Sequence, residues 1–164
     1  MEIKDILLKG NVWNEAMDKL EDIFKPRTHY DVFMLALAIG IMYDKRIEKL
    51  ELDNSNDEMS VPRNVIANHD NGKLDFYFQA AVLTTQTEDF SEERRLELAF
   101  ADHVEFNKIG FLVQFANYGV GKLVEHLGST NIESMEGIKN FLISSVEGTN
   151  FEINGLPDEL LLEE

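Results

Sequence analysis

The sequence predicts an all-α fold, a single compact domain of about five to seven helices around one central apolar helix. Three observations carry that prediction. From Val32 to Tyr43 the chain is continuously apolar and then stops at Asp44-Lys45-Arg46. The run falls short of the roughly 20 apolar residues of a membrane span, so it reads as a helix buried in protein. Elsewhere apolar residues recur at the three- and four-residue spacing of a helix with one buried face. Finally, 164 residues suffice for one domain with a sizeable core, and cysteine is absent, so neither a disulfide nor a thiolate metal site is available to hold it.

In order along the chain, Asn11 reads as a helix cap, followed by Trp13, Ala16, Met17, Leu20, Ile23 and Phe24 on one face. Lys25-Pro26-Arg27 ends that helix, because proline disfavours helical geometry in the residue before it. The buried helix then runs from Thr28 to about Tyr43. Residues 51–60, rich in Asp, Asn and Ser, read as a solvent loop, and Val61 to Ile66 as an extended or single-turn segment. Asn71-Gly72 is a turn, after which Leu74, Phe76, Tyr77, Phe78, Ala80, Ala81, Val82 and Leu83 form a helix of about three turns. Ser91-Glu92-Glu93 supplies the cap and acidic first turn of the next helix, with Leu96, Ala99 and Phe100 on one face. Glu105 is expected to open the longest helix, whose stripe of Ile109, Leu112, Val113, Ala116, Val120, Leu123, Val124 and Leu127 ends at Gly128. Ser134 is expected to cap a last helix through Val146, stopped by Gly148. The domain is expected to cover residues 1–150, with an acidic C-terminal tail over 151–164. Val32, Leu35, Ala36, Ile39, Leu83, Leu112, Ala116 and Leu123 are the expected core.

Net charge is −16, with unequal distribution: residues 1–50 hold 9 acids against 8 bases, residues 51–164 hold 22 against 7. Nucleic acid is therefore not expected as a direct ligand, since phosphate contacts need a positive surface. A solvated acidic face is the simpler reading, and a surface for a basic partner, or a mimic of DNA, the sharper one. The N-terminus has no basic-plus-apolar leader, so a cytoplasmic address is expected.

Catalytic and cofactor motifs fail on spacing. His29, His69, His103 and His126 include no pair four residues apart on one helical face, so metal is not expected. Gly119-Val120-Gly121-Lys122 lacks the upstream glycine, the following hydroxyl and the preceding strand of a phosphate-binding loop. Asp102-His103 are adjacent, pointing to different sides of a helix, and Ser144-Ser145 has no evident base. No cofactor and no enzymatic activity are expected. Gly110, Gly119 and Gly121 lie inside the longest stripe, where each costs about 1 kcal/mol relative to alanine. Close approach of another backbone accounts for them, either inside the domain or at a partner. The candidate binding residues are accordingly Phe115, Asn117, Tyr118, Gly119 and Gly121 on that helix, and Glu92, Glu93 and Glu97 on the acidic face.

Three blocks carry a family resemblance. Phe24-Lys-Pro-Arg-Thr-His-Tyr-Asp-Val-Phe-Met-Leu-Ala-Leu-Ala-Ile-Gly40 with Asp44-Lys45-Arg46, then Ala80-Ala-Val-Leu-Thr-Thr-Gln-Thr-Glu-Asp-Phe90, then Phe115-Ala116-Asn117-Tyr118-Gly119-Val120 resemble small accessory proteins encoded beside bacterial Dnd (DNA phosphorothioation) systems. Order and spacing agree over about residues 20 to 128. Phe115 stands where the family has tyrosine, and Tyr118 where it tends to have glycine. The resemblance implies a non-catalytic accessory or regulatory subunit of a DNA-modification or anti-phage defence system. Its partner would be a larger protein of the same operon, an ATPase or a nuclease, with homo-oligomerisation left open and no membrane involved. It brings no catalytic residues. The alternative from charge is an acidic DNA-mimic inhibitor of a DNA-binding protein, phage-encoded in the sharpest version.

Overall fold

The computed structural model describes residues 4–50 and 58–147. Among these the elements run β1 (Ile6–Lys9), α1 (Asn11–Phe24), α2 (Thr28–Met42), β2 (Glu58–Val61), α3 (Arg63–His69), α4 (Lys73–Thr84), α5 (Glu92–Phe100), α6 (Lys108–Val124) and α7 (Asn131–Glu147). The fold is mostly α-helical, with seven helices and one two-stranded sheet among the described residues. None of these helices is long and apolar enough to cross a membrane. The expected tail, 151–164, and the expected stop at Gly148 lie outside the described residues.

Helix α2 is apolar on every side because it is surrounded. Tyr30, Val32, Phe33, Ala36, Leu37, Ile39 and Gly40 are all buried, with α6 on one flank and α1 on another. Its most intimate neighbour is α6, and two glycines set the distance. A Cβ on Gly119 would overlap the carbonyl oxygen of Ala36 and lie 2.9 Å from the Gly40 nitrogen; one on Gly40 would overlap the Phe115 carbonyl oxygen. Only hydrogen fits between these backbones. Gly110 has a local reason instead: a Cβ would overlap the side chain of Asn107, which caps the first turn of α6 by accepting from the Gly110 amide at 2.9 Å. Gly121 has nothing within 4 Å of where a Cβ would sit.

Helix α2 ends in a Schellman motif. Lys45 N–H donates to the Gly40 carbonyl at 3.2 Å and Asp44 N–H to the Ile41 carbonyl at 2.9 Å, with Asp44 in the left-handed region at φ 48. Glycine commonly takes that position; aspartate tolerates it and brings a carboxylate with it.

The sheet was not anticipated from the sequence. β1 and β2 pair antiparallel in the register Ile6↔Val61, Leu7↔Ser60, Leu8↔Met59 and Lys9↔Glu58. Ile6, Leu8 and Val61 point into the core, and a Lys9–Glu58 ion pair of 2.8 Å closes one end. The expected solvent loop over 51–60 therefore ends in a strand. Of the segment expected as extended or a single turn, Val61 ends β2 and Pro62 is extended, while from Arg63 the chain runs on as the seven-residue helix α3.

Several boundaries and faces also need correction. The cap of α1 is Gly10, with Asn11 already helical. α6 starts at Lys108, capped by Asn107, not at Glu105. α7 starts at Asn131 through a capping box: Thr130 Oγ1 accepts from Glu133 N–H at 3.2 Å, and Glu133 Oε2 accepts from Thr130 N–H at 3.2 Å. Ser134, the expected cap, is buried one turn in, where its Oγ accepts from Gly128 N–H at 3.1 Å. Of the expected core, Val32, Ala36, Ile39, Leu112, Ala116 and Leu123 are buried, but Leu35 is only partly so and Leu83 is 39% exposed. On α5 the buried pair is Leu98 and Ala99, whereas Leu96 and Phe100 face outward.

The two glycine environments predict opposite responses to alanine. Gly119→Ala forces α2 and α6 apart and should cost about 1–3 kcal/mol, the usual range for overpacking. Gly121→Ala meets no neighbour and should stabilise by up to about 1 kcal/mol. Urea denaturation followed by circular dichroism reads both. Equal effects from the two substitutions would refute the assigned contact.

Candidate interaction surface

The sequence-predicted residues on α6 divide by direction. Phe115, Asn117 and Gly119 are buried inside the chain: the backbone at Phe115 and Gly119 meets α2, and Asn117 turns to α1 and the segment after α2. Asn117 accepts from Trp13 Nε1 and donates to the Ile47 carbonyl, both at 3.1 Å. Tyr118 is half-buried beside Tyr43, 5.9 Å between ring centroids, with the Lys45 ammonium 5.7 Å above it. Gly121 borders open space. Glu92, Glu93 and Glu97, by contrast, are exposed along α5.

The three sequence blocks that carry the family resemblance meet in space. Asp44 accepts from Thr85 Oγ1 at 2.5 Å and from Gln86 N–H at 2.7 Å. Arg46, whose side chain is 14% exposed, pairs with Glu88. It also donates to Gln114 Oε1 at 3.2 Å and to Thr87 Oγ1 at 3.3 Å. Its guanidinium lies 4.9 Å from the Phe111 centroid and 5.6 Å from that of Phe115, stacked over apolar rings as a planar cation can be. Arg95 holds the other side of the same loop, donating to the carbonyls of Val82 at 2.7 Å, Glu88 at 3.0 Å and Phe90 at 3.2 Å. These bonds fix the segment between α4 and α5 to the end of α2 and to α6. The role of Arg46 was not evident in the sequence, where it looked like part of a polar turn.

The clefts offer little reactive chemistry. One of about 510 Å³ is lined by Lys4, Asp5, Asp102, His103 and Lys108, but Asp5 is bonded to the Arg63 amide at 2.8 Å. Another, of about 350 Å³, lies at the α1–α2 corner beside Lys25, Arg27, His29 and Tyr30. There the cations are paired: Lys25 with Asp22 at 2.8 Å and Arg27 with Asp31 at 3.5 Å. His29 Nδ1 lies 2.8 Å from the Ser60 carbonyl. The Tyr30 hydroxyl donates to Asp70 at 3.1 Å; burial, reinforced by that carboxylate, pushes the phenol pKa well above its ordinary value. A third cleft, of about 450 Å³, contains rings already stacked on one another, His126 on Phe141 at 4.2 Å and Tyr43 on Phe141 at 6.3 Å. Among the described residues no three His, Asp or Glu side chains are grouped to hold a metal ion.

The outer side of the α4–α5 hairpin is different in kind. Gln79 Nε2 donates to the Ala99 carbonyl at 3.0 Å and Arg95 to the Val82 carbonyl, which sets the two helices antiparallel. Along the seam Phe76 is 65% exposed, Phe100 63%, Leu96 48% and Leu83 39%. Isolated exposed apolar residues are normal, but four large ones on adjoining helices form a patch of the kind that marks interaction sites. Glu92, Glu93 and Glu97 border it on α5.

The Arg46 junction predicts a steep, shape-specific loss. Arg46→Ala should destabilise by at least about 2 kcal/mol, since several bonds to a charged group are removed and their acceptors stranded. Arg46→Lys should recover less than half, because one ammonium cannot reach Gln114, Thr87 and Glu88 together as the five donors of a guanidinium can. Urea midpoints measure both; full rescue by lysine would show that charge alone matters there.

No family model matches this sequence, and neither a curated protein nor a solved structure matches it significantly.

Proposed function

We propose that this chain is a non-catalytic accessory or regulatory subunit of a bacterial DNA-modification or anti-phage defence system of the phosphorothioation type, working by binding a larger ATPase or nuclease of the same operon in the cytoplasm. The observation that carries the proposal is the acid-bordered apolar seam of α4 and α5, with Phe76, Leu83, Leu96 and Phe100 exposed at its centre. A desolvated apolar middle within a polar rim is how stable protein interfaces are built. The blocks resembling the accessory family support the reading of a defence-system subunit. Their polar residues are engaged in fixing the fold: Asp44 on Thr85 and Gln86, Arg46 on Glu88 and Gln114, Asn117 on Trp13.

The charge of −16 also suits a DNA mimic. Four large apolar side chains exposed on α4 and α5 favour the subunit reading, because a mimic of a phosphate backbone presents carboxylates where these stand.

Affinity capture of the tagged chain from cells that carry its native operon should recover a larger protein encoded alongside it, in fixed stoichiometry and after nuclease digestion of the lysate. Turnover of nucleotide or DNA by the isolated chain would overturn the proposal. So would capture of a DNA-binding protein encoded elsewhere whose release requires competitor DNA.

A further inference from the structure

We infer that the α4–α5 seam receives a basic amphipathic helix of the partner protein. The inference rests on the protein-binding reading above and adds the chemistry of the segment bound. Two antiparallel helices present a shallow groove between them, and a third helix is the element whose ridges fit such a groove. The length is suitable: α4, with 12 residues, is about 18 Å long, which matches three turns of a partner carrying anchors at i, i+3 or i+4, and i+7. Phe76 and Phe100 lie toward one end of the seam and Leu83 and Leu96 toward the other, as the Gln79–Ala99 and Arg95–Val82 bonds dictate.

Charge selects the occupant. Glu92 and Glu93 are exposed and make no ion pair among the described residues, while Glu97 is paired with Arg94 at 2.6 Å. Asp89 and Asp102 are exposed just before and just after α5. A helix with lysine or arginine beside its apolar stripe meets opposite charge along this border. A second copy of the chain, docked symmetrically, would bring a second set of the same exposed carboxylates to the seam. The chain's own residues 151–164 carry five acids and no base, so they meet the same repulsion. The other exposed apolar stripe, Ile132, Met135, Ile143 and Val146 on α7, lies on a single helix, with exposed Glu133 and Glu136 at one end but exposed Lys139 in its middle.

The test uses the full chain labelled with ¹⁵N and two synthetic peptides of identical Leu/Lys composition. One has leucine at helical three- and four-residue spacing; its isomer scatters leucine around the helix. The amphipathic peptide should shift amide resonances of α4 and α5 and bind at least tenfold more tightly than the isomer. Leu96→Ser/Phe100→Ser and, separately, Glu92→Lys/Glu93→Lys should each weaken it at least tenfold, with circular dichroism confirming that both variants remain folded. Equal binding of the isomer, shifts centred on α7, or a concentration-dependent dimer abolished by Phe100→Ser would overturn the inference. If Leu96→Ser/Phe100→Ser also loses the operon-encoded partner in capture, while the amphipathic peptide leaves α4 and α5 unshifted, the basic-helix inference falls and the subunit function stands.

Discussion

The contact on which the rest of the structure depends is the one between α2 and α6 at Gly40 and Gly119. It is reciprocal: each glycine faces a carbonyl of the opposite helix, Phe115 for Gly40 and Ala36 for Gly119. Two helices with ordinary side chains at these positions would be held apart by them. Here the backbones touch, and the consequences spread outward. α2 can be apolar all round because α6 covers it closely, and Asn117 is brought near enough to satisfy both the Trp13 indole and the Ile47 carbonyl. Those buried polar groups would otherwise carry a desolvation cost with no compensating bond. A glycine that weakens an isolated helix thus strengthens the pair.

Around that contact the polar framework is built by Asp44 and Arg46, adjacent in sequence to the end of α2 and reaching in different directions. Asp44 leaves the helix in a left-handed conformation, which turns the chain and aims its carboxylate at the α4–α5 connection. Arg46 crosses the rings of Phe111 and Phe115 to bind the same connection and α6. The blocks that resemble a defence-accessory family are therefore the blocks that close the fold. Since the polar residues of these blocks are engaged in the fold, residues free to meet a partner are to be sought away from them, on the surface they hold in place.

What was legible in the sequence follows from which forces act locally. The helices α1, α2, α4 and α5 were readable because their apolar residues are written within a few turns, helped at α5 by the cap Ser91, whose Oγ accepts from Arg94 N–H, and at α4 by the turn at Gly72. The sheet was not readable. Ile6 to Lys9 is four residues long and pairs with residues about fifty positions away, so no local pattern marks it. The faces of short helices were also misjudged: in nine residues of α5, Leu96, Leu98, Ala99 and Phe100 surround the axis, and spacing cannot decide which side the rest of the chain will cover. The same ambiguity hid the interaction surface, since Leu96, Phe100 and Leu83 were assigned inward. Of the acidic candidates, Glu92, Glu93 and Glu97 were visible because nothing but solvent exposure was needed to place them. Phe115, Asn117 and Gly119 were singled out for the right physical reason, close approach, but the approaching backbone belongs to the chain itself.

The division between charge and apolar surface also fits the proposed role. A net charge of −16 keeps the chain away from nucleic acid at long range and draws basic surfaces toward it. At physiological ionic strength the field fades within about 8 Å, so the carboxylates bordering the seam govern encounter and orientation more than persistence. Persistence falls to the apolar centre, where large side chains lose water on contact. A subunit that works beside DNA-handling machinery has reason to separate these two tasks. In the proposed role the acidity would exclude DNA, while four side chains between α4 and α5 would remain available to a protein partner.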